Sequence, residues 1–127
     1  MNILVTGGAS GLGESITKLL SKDKKNAVYF TFCNSKKKSD EICTDFSNST
    51  SIKCDFNDLK SVNSLCEMIP ALKLDVLINN AYCGSAINKH FHKNSIDVFT
   101  NDFTINIIPT ILITQSVISY FKKQKKR

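Results

Sequence analysis

The chain has 127 residues, of which 42% are hydrophobic and 22% charged, and this apolar content excludes disordered, collagen-like and low-complexity proteins. Its length indicates one domain, since domains usually contain about 100–200 residues. The net charge of +6 is concentrated in a basic tail at residues 122–127, since residues 1–121 carry 12 basic and 11 acidic side chains. Because the body of the chain is nearly neutral, a nucleic-acid-binding function is not favoured.

Short apolar runs typical of strands alternate along the chain with longer runs of helical periodicity. The predicted elements in chain order are strand 3–5, helix 12–20, strand 27–32, helix 39–46, strand 51–54, a helix that Asp58 caps and Pro70 ends, strand 74–78, and a long helix that begins near Ser95 and ends at Lys123. This alternation predicts an α/β fold in one domain, residues 1–127, with a doubly wound parallel sheet of about four strands.

A glycine-rich loop, residues 6–13 with the sequence TGGASGLG, joins the first predicted strand to the first helix. Glycines at this place let the backbone approach a pyrophosphate, and the amino end of the following helix attracts the anion. Gly7, Gly11 and Gly13 have the spacing G-x-x-x-G-x-G, which differs from both the G-x-G-x-x-G fingerprint and the Walker loop. The alternative is a glycine-rich turn that binds no ligand.

Four motifs follow one another along the chain: the glycine loop, Asp55 after the third strand, the N-N-A sequence ending in Asn80 and Ala81 after the fourth, and Asn106 in the last helix. In this order they resemble the short-chain dehydrogenase/reductase family. The loop spacing is similar to that of the family's single-domain branch. The resemblance covers the whole chain and implies the N-terminal half of a Rossmann-like, NAD(P)-binding domain of an enzyme that transfers hydride between nicotinamide and a carbonyl or alcohol carbon.

The same resemblance implies a set of cofactor contacts. The loop residues expected around the pyrophosphate and adjoining ribose are Gly7, Ser10, Gly11, Leu12 and Gly13. Asp55 would accept a hydrogen bond from the adenine amino group and Phe56 would lie against the ring, whereas a turn or helix cap is the alternative role for Asp55. Asn80 and Ala81 would lie beside the nicotinamide-side ribose. Tyr82 replaces the family's usual glycine, where a side chain can crowd the cofactor.

The residues after the second strand bear on the choice between NAD(H) and NADP(H). Asn34, Ser35 and Lys36 follow this strand, and the next acidic residue is Asp40. An acid at the strand end would repel a 2′-phosphate, whereas amide, hydroxyl and ammonium donors bind one. The sequence therefore favours NADP(H), although a solvated lysine run that opens a helix explains the same residues.

The catalytic residues of the family are mostly unmatched. That family uses a tyrosine with a lysine four positions later, a serine, and a helix asparagine that supports a proton relay. None of Tyr29, Tyr82 and Tyr120 has a lysine four positions later, and Asn106 alone matches. We therefore expect the N-terminal portion of an oxidoreductase, truncated before the catalytic Tyr-Lys pair and inactive alone. The alternative is a non-catalytic dinucleotide-binding or subunit-pairing module.

The expected partners are a dinucleotide and a second copy of the chain. The long helix would leave an apolar face partly uncovered and available for homo-oligomer contacts. The residues of this face are Ile105, Ile108, Leu112 and Ile113.

Membrane insertion and secretion are not expected. The apolar stretch 105–121 is interrupted by polar residues, and the N-terminus does not resemble a signal peptide. The isolated cysteines suit a reducing cytoplasm. No metal site is expected, because His90 and His92 have no evident third ligand.

Overall fold

The computed structural model of the chain describes residues 1–84 and 90–124, in which helices cover both faces of a four-stranded parallel sheet. The strands are β1 (Asn2–Val5), β2 (Ala27–Phe32), β3 (Ser49–Lys53) and β4 (Val76–Ile78). The helices are α1 (Gly11–Ser21), α2 (Lys36–Asp45), α3 (Leu59–Leu72) and α4 (Ile96–Lys123), with a short 3-10 helix at Phe91–Lys93. The predicted α/β class and order of elements are confirmed.

The strand order β3-β2-β1-β4 explains where a crevice forms. The chain moves outward from β1 to β3 and then returns to add β4 on the other side of β1. The helices that follow β1 and β4 therefore pack on opposite faces of the sheet, and their connecting loops separate at the carboxyl ends of these strands.

Alternating side chains of β1 divide the core between the two faces. Ile3 and Val5 pack with Val28 and Phe30 beneath α1 and α2, whereas Leu4 packs beneath α3 and α4. Each of these side chains is at most 1% exposed. The strict alternation follows from the two-residue repeat of a strand, and burial on both sides explains the continuous apolar run of β1.

The observed α2 begins three residues and β3 two residues before the predicted elements, and two further predicted boundaries are wrong for tertiary reasons. Pro70 does not end α3, which continues to Leu72, because Ile69 and Leu72 are buried in the core and their burial offsets the hydrogen bond that proline cannot make. The helix ends at Leu72 because the C-cap residue Lys73 has a left-handed backbone, with a φ of +51°. Strand β4 is shorter than predicted: Leu74 is fully buried but lies outside the strand.

Helix α4 divides its apolar residues between a buried side and an exposed one. Of the face predicted to be partly uncovered, Ile113 is fully buried, and Ile105, Ile108 and Leu112 are half-buried. A different side is exposed: Phe103, Ile107, Ile111 and Ile118. Sequence spacing predicted an apolar helix but did not determine which side the core covers.

Helix α4 is also long and apolar enough to cross a membrane, the only such helix among the described residues. The core helix of a water-soluble domain meets the same criteria, and here Ile113 and Val117 lie in the hydrophobic core. Of the basic tail, Lys122 and Lys123 are exposed at the end of α4, and residues 125–127 lie outside the described part.

Candidate functional site

A cavity of about 480 Å³ opens at the carboxyl ends of the strands, where the loops after β1 and β4 separate. Nine of the twelve predicted cofactor contacts line it: Gly7, Ser10, Leu12, Gly13, Asn34, Ser35, Phe56, Asn80 and Ala81. No charged side chain is among the described residues that line this crevice. The groups that the crevice offers to a ligand are backbone dipoles, amides, hydroxyls and apolar surface.

The other three predicted contacts, Gly11, Lys36 and Asp55, are not among the described residues that line the crevice. Gly11 is exposed at the start of α1, and the Nζ of Lys36 lies 2.6 Å from Oδ2 of Asp40. The Asp55 carboxylate accepts hydrogen bonds from the backbone and side-chain nitrogens of Asn57, at 2.9 and 3.2 Å, and these bonds lower its pKa. Asp55 thus stabilises its own turn.

The glycine loop is closely packed against the segment after β4. Gly7 has φ of +66°, and its amide donates to Oγ1 of Thr31 at 2.9 Å. A Cβ at Gly7 would lie 2.8 Å from Cα of Ala81, and one at Gly13 would lie 2.1 Å from the carbonyl oxygen of Gly7. Glycine is therefore required at both positions by the fold itself, before any ligand is considered.

Thr6 joins the two loops at the base of the crevice and is 1% exposed. Its Oγ1 accepts hydrogen bonds from the backbone amides of Asn80 and Ala81, each at 3.0 Å. The side-chain amide of Asn80 in turn donates to the carbonyl oxygens of Thr6 and Gly7, at 3.0 and 3.2 Å. Sequence reasoning did not select Thr6, although a polar residue directly after a buried strand is a usable signal.

The amino end of α1 faces the crevice through Ser10, Leu12 and Gly13. Ser10 occupies the N-cap position, but its side chain makes no capping hydrogen bond. The amides of the first turn and the positive end of the helix dipole therefore face the crevice, and such groups bind anions. The nearby Glu14 carboxylate is engaged with Lys18 and Lys38, at 2.7 and 3.2 Å.

Asn106 fastens α4 to the segment beyond β4. Its Oδ1 accepts from the backbone amide of Cys83 at 2.6 Å, and its Nδ2 donates to the carbonyl oxygen of Cys83 at 2.8 Å. The side chain is 8% exposed and is not among the described residues that line the crevice. In this structure Asn106 is a positioning residue for the wall that contains Cys83.

Tyr82 lines the outer part of the crevice and is 61% exposed. Its hydroxyl donates to the carboxylate of Asp102, with oxygen–oxygen distances of 3.3 and 3.4 Å. The negative charge of Asp102 raises the pKa of Tyr82, which is opposite to the effect of a neighbouring ammonium. Tyr82 therefore keeps its proton at neutral pH and is not suited to serve as a phenolate base.

Several lining residues were not selected from the sequence. Thr31, Phe32 and Cys33 lie at the end of β2, and Cys54 and Asn57 follow β3. The signal that could have identified them is positional, since open α/β sheets bind ligands at the carboxyl ends of their strands. The same part of the chain, residues 1–84 and 90–124, contains no group of three or more metal-ligating side chains.

The parallel sheet, the crevice beside β1 and the glycine loop define a doubly wound, Rossmann-like α/β domain. The family described as short chain dehydrogenase matches residues 1–126, and the chain belongs to this family.

Curated relatives support the same assignment. The NADP-dependent 3-hydroxy acid dehydrogenase of Schizosaccharomyces pombe is 29% identical over 98% of the chain, and the L-xylulose reductase of Aspergillus niger is 28% identical over 95%. The chain spans 50% and 47% of the length of these two proteins, about half in each case.

Solved structures share the fold. A short chain dehydrogenase from Burkholderia cenocepacia, in complex with NADP, superposes with a TM-score of 0.78 and 24% identity over 93% of this chain and 49% of its own. An NADPH-bound carbonyl reductase from chicken fatty liver gives a TM-score of 0.82 and 22% identity over 98% of this chain and 50% of its own.

Proposed function

We propose that the chain is the dinucleotide-binding, N-terminal portion of an NAD(P)-dependent short-chain oxidoreductase, which in its whole form interconverts a carbonyl and an alcohol. The observation that carries this proposal is the crevice beside β1, where the first turn of α1 and the glycine loop face one cavity. Membership of the short chain dehydrogenase family and the names of the curated relatives support it.

The lining residues fit a dinucleotide. The uncapped first turn of α1 would bind the pyrophosphate next to Gly7 and Gly13, where the fold already excludes side chains. Phe56 lines the crevice beside Asn57, and we expect its small exposed area, 3% of the residue, to contact adenine. A bound nicotinamide supplies or accepts hydride, whereas the residues of this chain bind and orient it. With Asn106 alone matching the family's catalytic set, we expect no turnover by this chain.

NADP(H) is the favoured dinucleotide. The residues that line the crevice after β2 are Cys33, Asn34 and Ser35, and this group contains no carboxylate to repel a 2′-phosphate. Lys36 can contribute its ammonium only by leaving the ion pair with Asp40. This exposed pair is weak, and so the ammonium is available at little cost in free energy.

Calorimetry of the purified chain with NADPH, NADH and ADP-ribose tests this proposal. We expect NADPH to bind, and Asn34→Asp to weaken its binding by about tenfold or more relative to NADH, because the new carboxylate repels the 2′-phosphate. Asn63→Asp on the exposed side of α3 is the matched control and should leave the ratio unchanged. Failure of all three nucleotides to bind would refute the proposed function, and NADPH-dependent reduction of a ketone would refute inactivity of this chain.

A subunit-pairing role is the second candidate, and the exposed side of α4 favours it. Phe103, Ile107, Ile111 and Ile118 form an apolar stripe along this helix. Sedimentation velocity should detect a dimer that Ile107→Glu dissociates, whereas Leu19→Glu, on exposed α1 surface, should not change it. A monomer at all concentrations would exclude pairing through α4.

We also propose a reducing, cytoplasmic location. All five cysteines are unpaired thiols in this structure. Thiols persist in a reducing compartment and form disulfides in an oxidising one. Fluorescence microscopy of a tagged chain would test the location directly.

A further inference from the structure

Three of the five cysteines line the crevice, although they come from three separate parts of the chain. Cys33 follows β2, Cys54 follows β3, and Cys83 lies beyond β4. The other two, Cys43 on α2 and Cys66 on α3, are not among the described residues that line it. The fold thus brings together thiols that are at least 21 positions apart in the sequence.

The three thiols differ in their access to solvent. Cys54 is 3% exposed, whereas Cys33 and Cys83 are half-buried. Burial raises the pKa of the Cys54 thiol to about 11. Burial is also the largest cause of the raised pKa of Cys33 and of Cys83, and the carboxylate of Asp55 adds to both. The crevice therefore presents two reachable, uncharged S–H groups and one shielded group.

We propose that Cys33 and Cys83 form a modification site at which a neutral α,β-unsaturated carbonyl compound adds to the thiol and excludes the dinucleotide from the crevice. This inference rests on the proposed function, because the excluded ligand is the dinucleotide. The lining side chains are uncharged and partly apolar, and so a neutral electrophile can enter the crevice without needing a charged partner. An adduct on either sulfur occupies space within the same cavity of about 480 Å³.

The reaction is an addition that needs no oxidant or reductant. The sulfur of the thiolate forms a bond to the β-carbon of the electrophile, and the π pair of the C=C bond moves toward the carbonyl. The α-carbon then takes a proton from water, which replaces the proton that the thiol released. Because the thiolate is the nucleophile, the raised pKa values mean that the reaction accelerates as the pH rises toward them.

N-ethylmaleimide is a suitable probe, with peptide mass mapping of each cysteine and calorimetry of NADPH binding before and after treatment. We expect saturating NADPH to slow labelling of Cys33 and Cys83 by about tenfold, while labelling of Cys43 and Cys66 is unchanged. Adduct formation should weaken NADPH binding by about tenfold or more, because it fills a cavity that the ligand needs.

Two double variants complete the test. Cys43→Ser with Cys66→Ser retains the crevice thiols and should lose NADPH binding on treatment. The double variant with Cys33→Ser and Cys83→Ser should bind NADPH equally before and after treatment, whatever its affinity for NADPH before treatment. Full labelling of Cys33 and Cys83 with unchanged NADPH binding would overturn this inference and leave the proposed function intact. An untreated chain that binds no nucleotide would refute both.

Discussion

The region from β1 to β3 and the region from β4 to α4 are stabilised in different ways. Strand β2 pairs over four residues with β1 and over five with β3, whereas β4 pairs over three residues with β1, its one neighbour in the described sheet. The last three residues of β2 are buried, but all of β4 is half-buried and α4 exposes an apolar stripe. The strands of the first region are paired and buried more completely, and the second region presents surface that further protein can cover.

The crevice lies at the boundary of these two regions and depends on both. Its glycine loop and the ends of β2 and β3 belong to the first region, and the wall from Asn80 to Gly84 belongs to the second. Thr6 connects the regions through Asn80 and Ala81, and Asn106 supports the far wall. Substitutions on either side should therefore separate loss of folding from loss of binding.

The largest effect is expected at the contact between the two regions. Gly13→Val places a side chain 2.1 Å from the carbonyl oxygen of Gly7 and 2.4 Å from Nδ2 of Asn80, and we expect loss of both cooperative folding and NADPH binding. Gly11→Ala is the control, since its Cβ meets no atom within 4 Å. It should cost about 1–2 kcal/mol for a left-handed φ. Circular dichroism measures the folding of each variant, and calorimetry measures its NADPH binding. A folded Gly13→Val chain would contradict this packing.

A matched pair of phenylalanines tests the difference in burial directly. Phe30 in β2 is fully buried, and Phe103 in α4 is 58% exposed. Phe30→Ala should lower the free energy of unfolding by about 3–5 kcal/mol, because it leaves a core cavity. Phe103→Ala should change it by less than about 0.5 kcal/mol. Urea denaturation measures both, and a large cost at Phe103 would show that α4 is covered in solution.

Asn106→Ala tests how the second region holds its wall of the crevice. The substitution leaves the amide and carbonyl of Cys83 without their side-chain partners, and we expect a cost of about 2 kcal/mol together with weaker NADPH binding. Hydrogen exchange at the Cys83 amide should accelerate. Asn63→Ala, on the exposed side of α3, should leave that exchange rate unchanged.

Local sequence patterns predicted most of the fold because they reflect periodic burial. The six residues of β2 were predicted with their correct bounds, since a short run rich in aromatic and β-branched residues favours a strand. The end of α3 was not, because the burial of Leu72 outweighs the local effect of Pro70. Which side of α4 is exposed depends on its contacts with α3, and no local pattern contains that information.

The site residues likewise divide into those that the local sequence predicted and those that depend on tertiary contacts. The glycine loop is continuous in sequence and was predicted with most of its lining residues. The placement of Lys36 and Asp55 depends on side-chain bonds to Asp40 and Asn57, which the motif resemblance did not include. Cys33 meets the other crevice thiols only because the sheet aligns strands that are distant in sequence.

Thr17→Val should stabilise the first region. Thr17 is fully buried beneath Gly8, and its Oγ1 has no hydrogen-bond partner in the described part of the chain. Replacement by the isosteric valine removes an unsatisfied hydroxyl, and we expect a gain of about 1 kcal/mol in the free energy of unfolding. Thr44→Val, whose exposed hydroxyl donates to the Asp40 carbonyl at 2.9 Å, should give no gain. An unchanged midpoint for Thr17→Val would indicate that this hydroxyl has a partner in solution.

The smallest effect is expected from the two ion pairs of Glu14 in the first region, one to Lys18 within α1 and one to Lys38 on α2. Hydrogen bonds from Lys18, and then from Lys38, lower the pKa of Glu14 below its ordinary value of 4.5. Because the folded-state pKa is the lower one, the stabilisation is fully present above pH 4.5 and is lost as the pH falls through the folded-state value. Glu14→Gln should therefore be less stable than the natural chain at pH 7 and equally stable in acid, with the difference reduced by salt. Urea denaturation across this pH range measures the stability difference, and Glu67→Gln on α3 is the control. A difference that persists in acid would assign the role of Glu14 to packing rather than to charge.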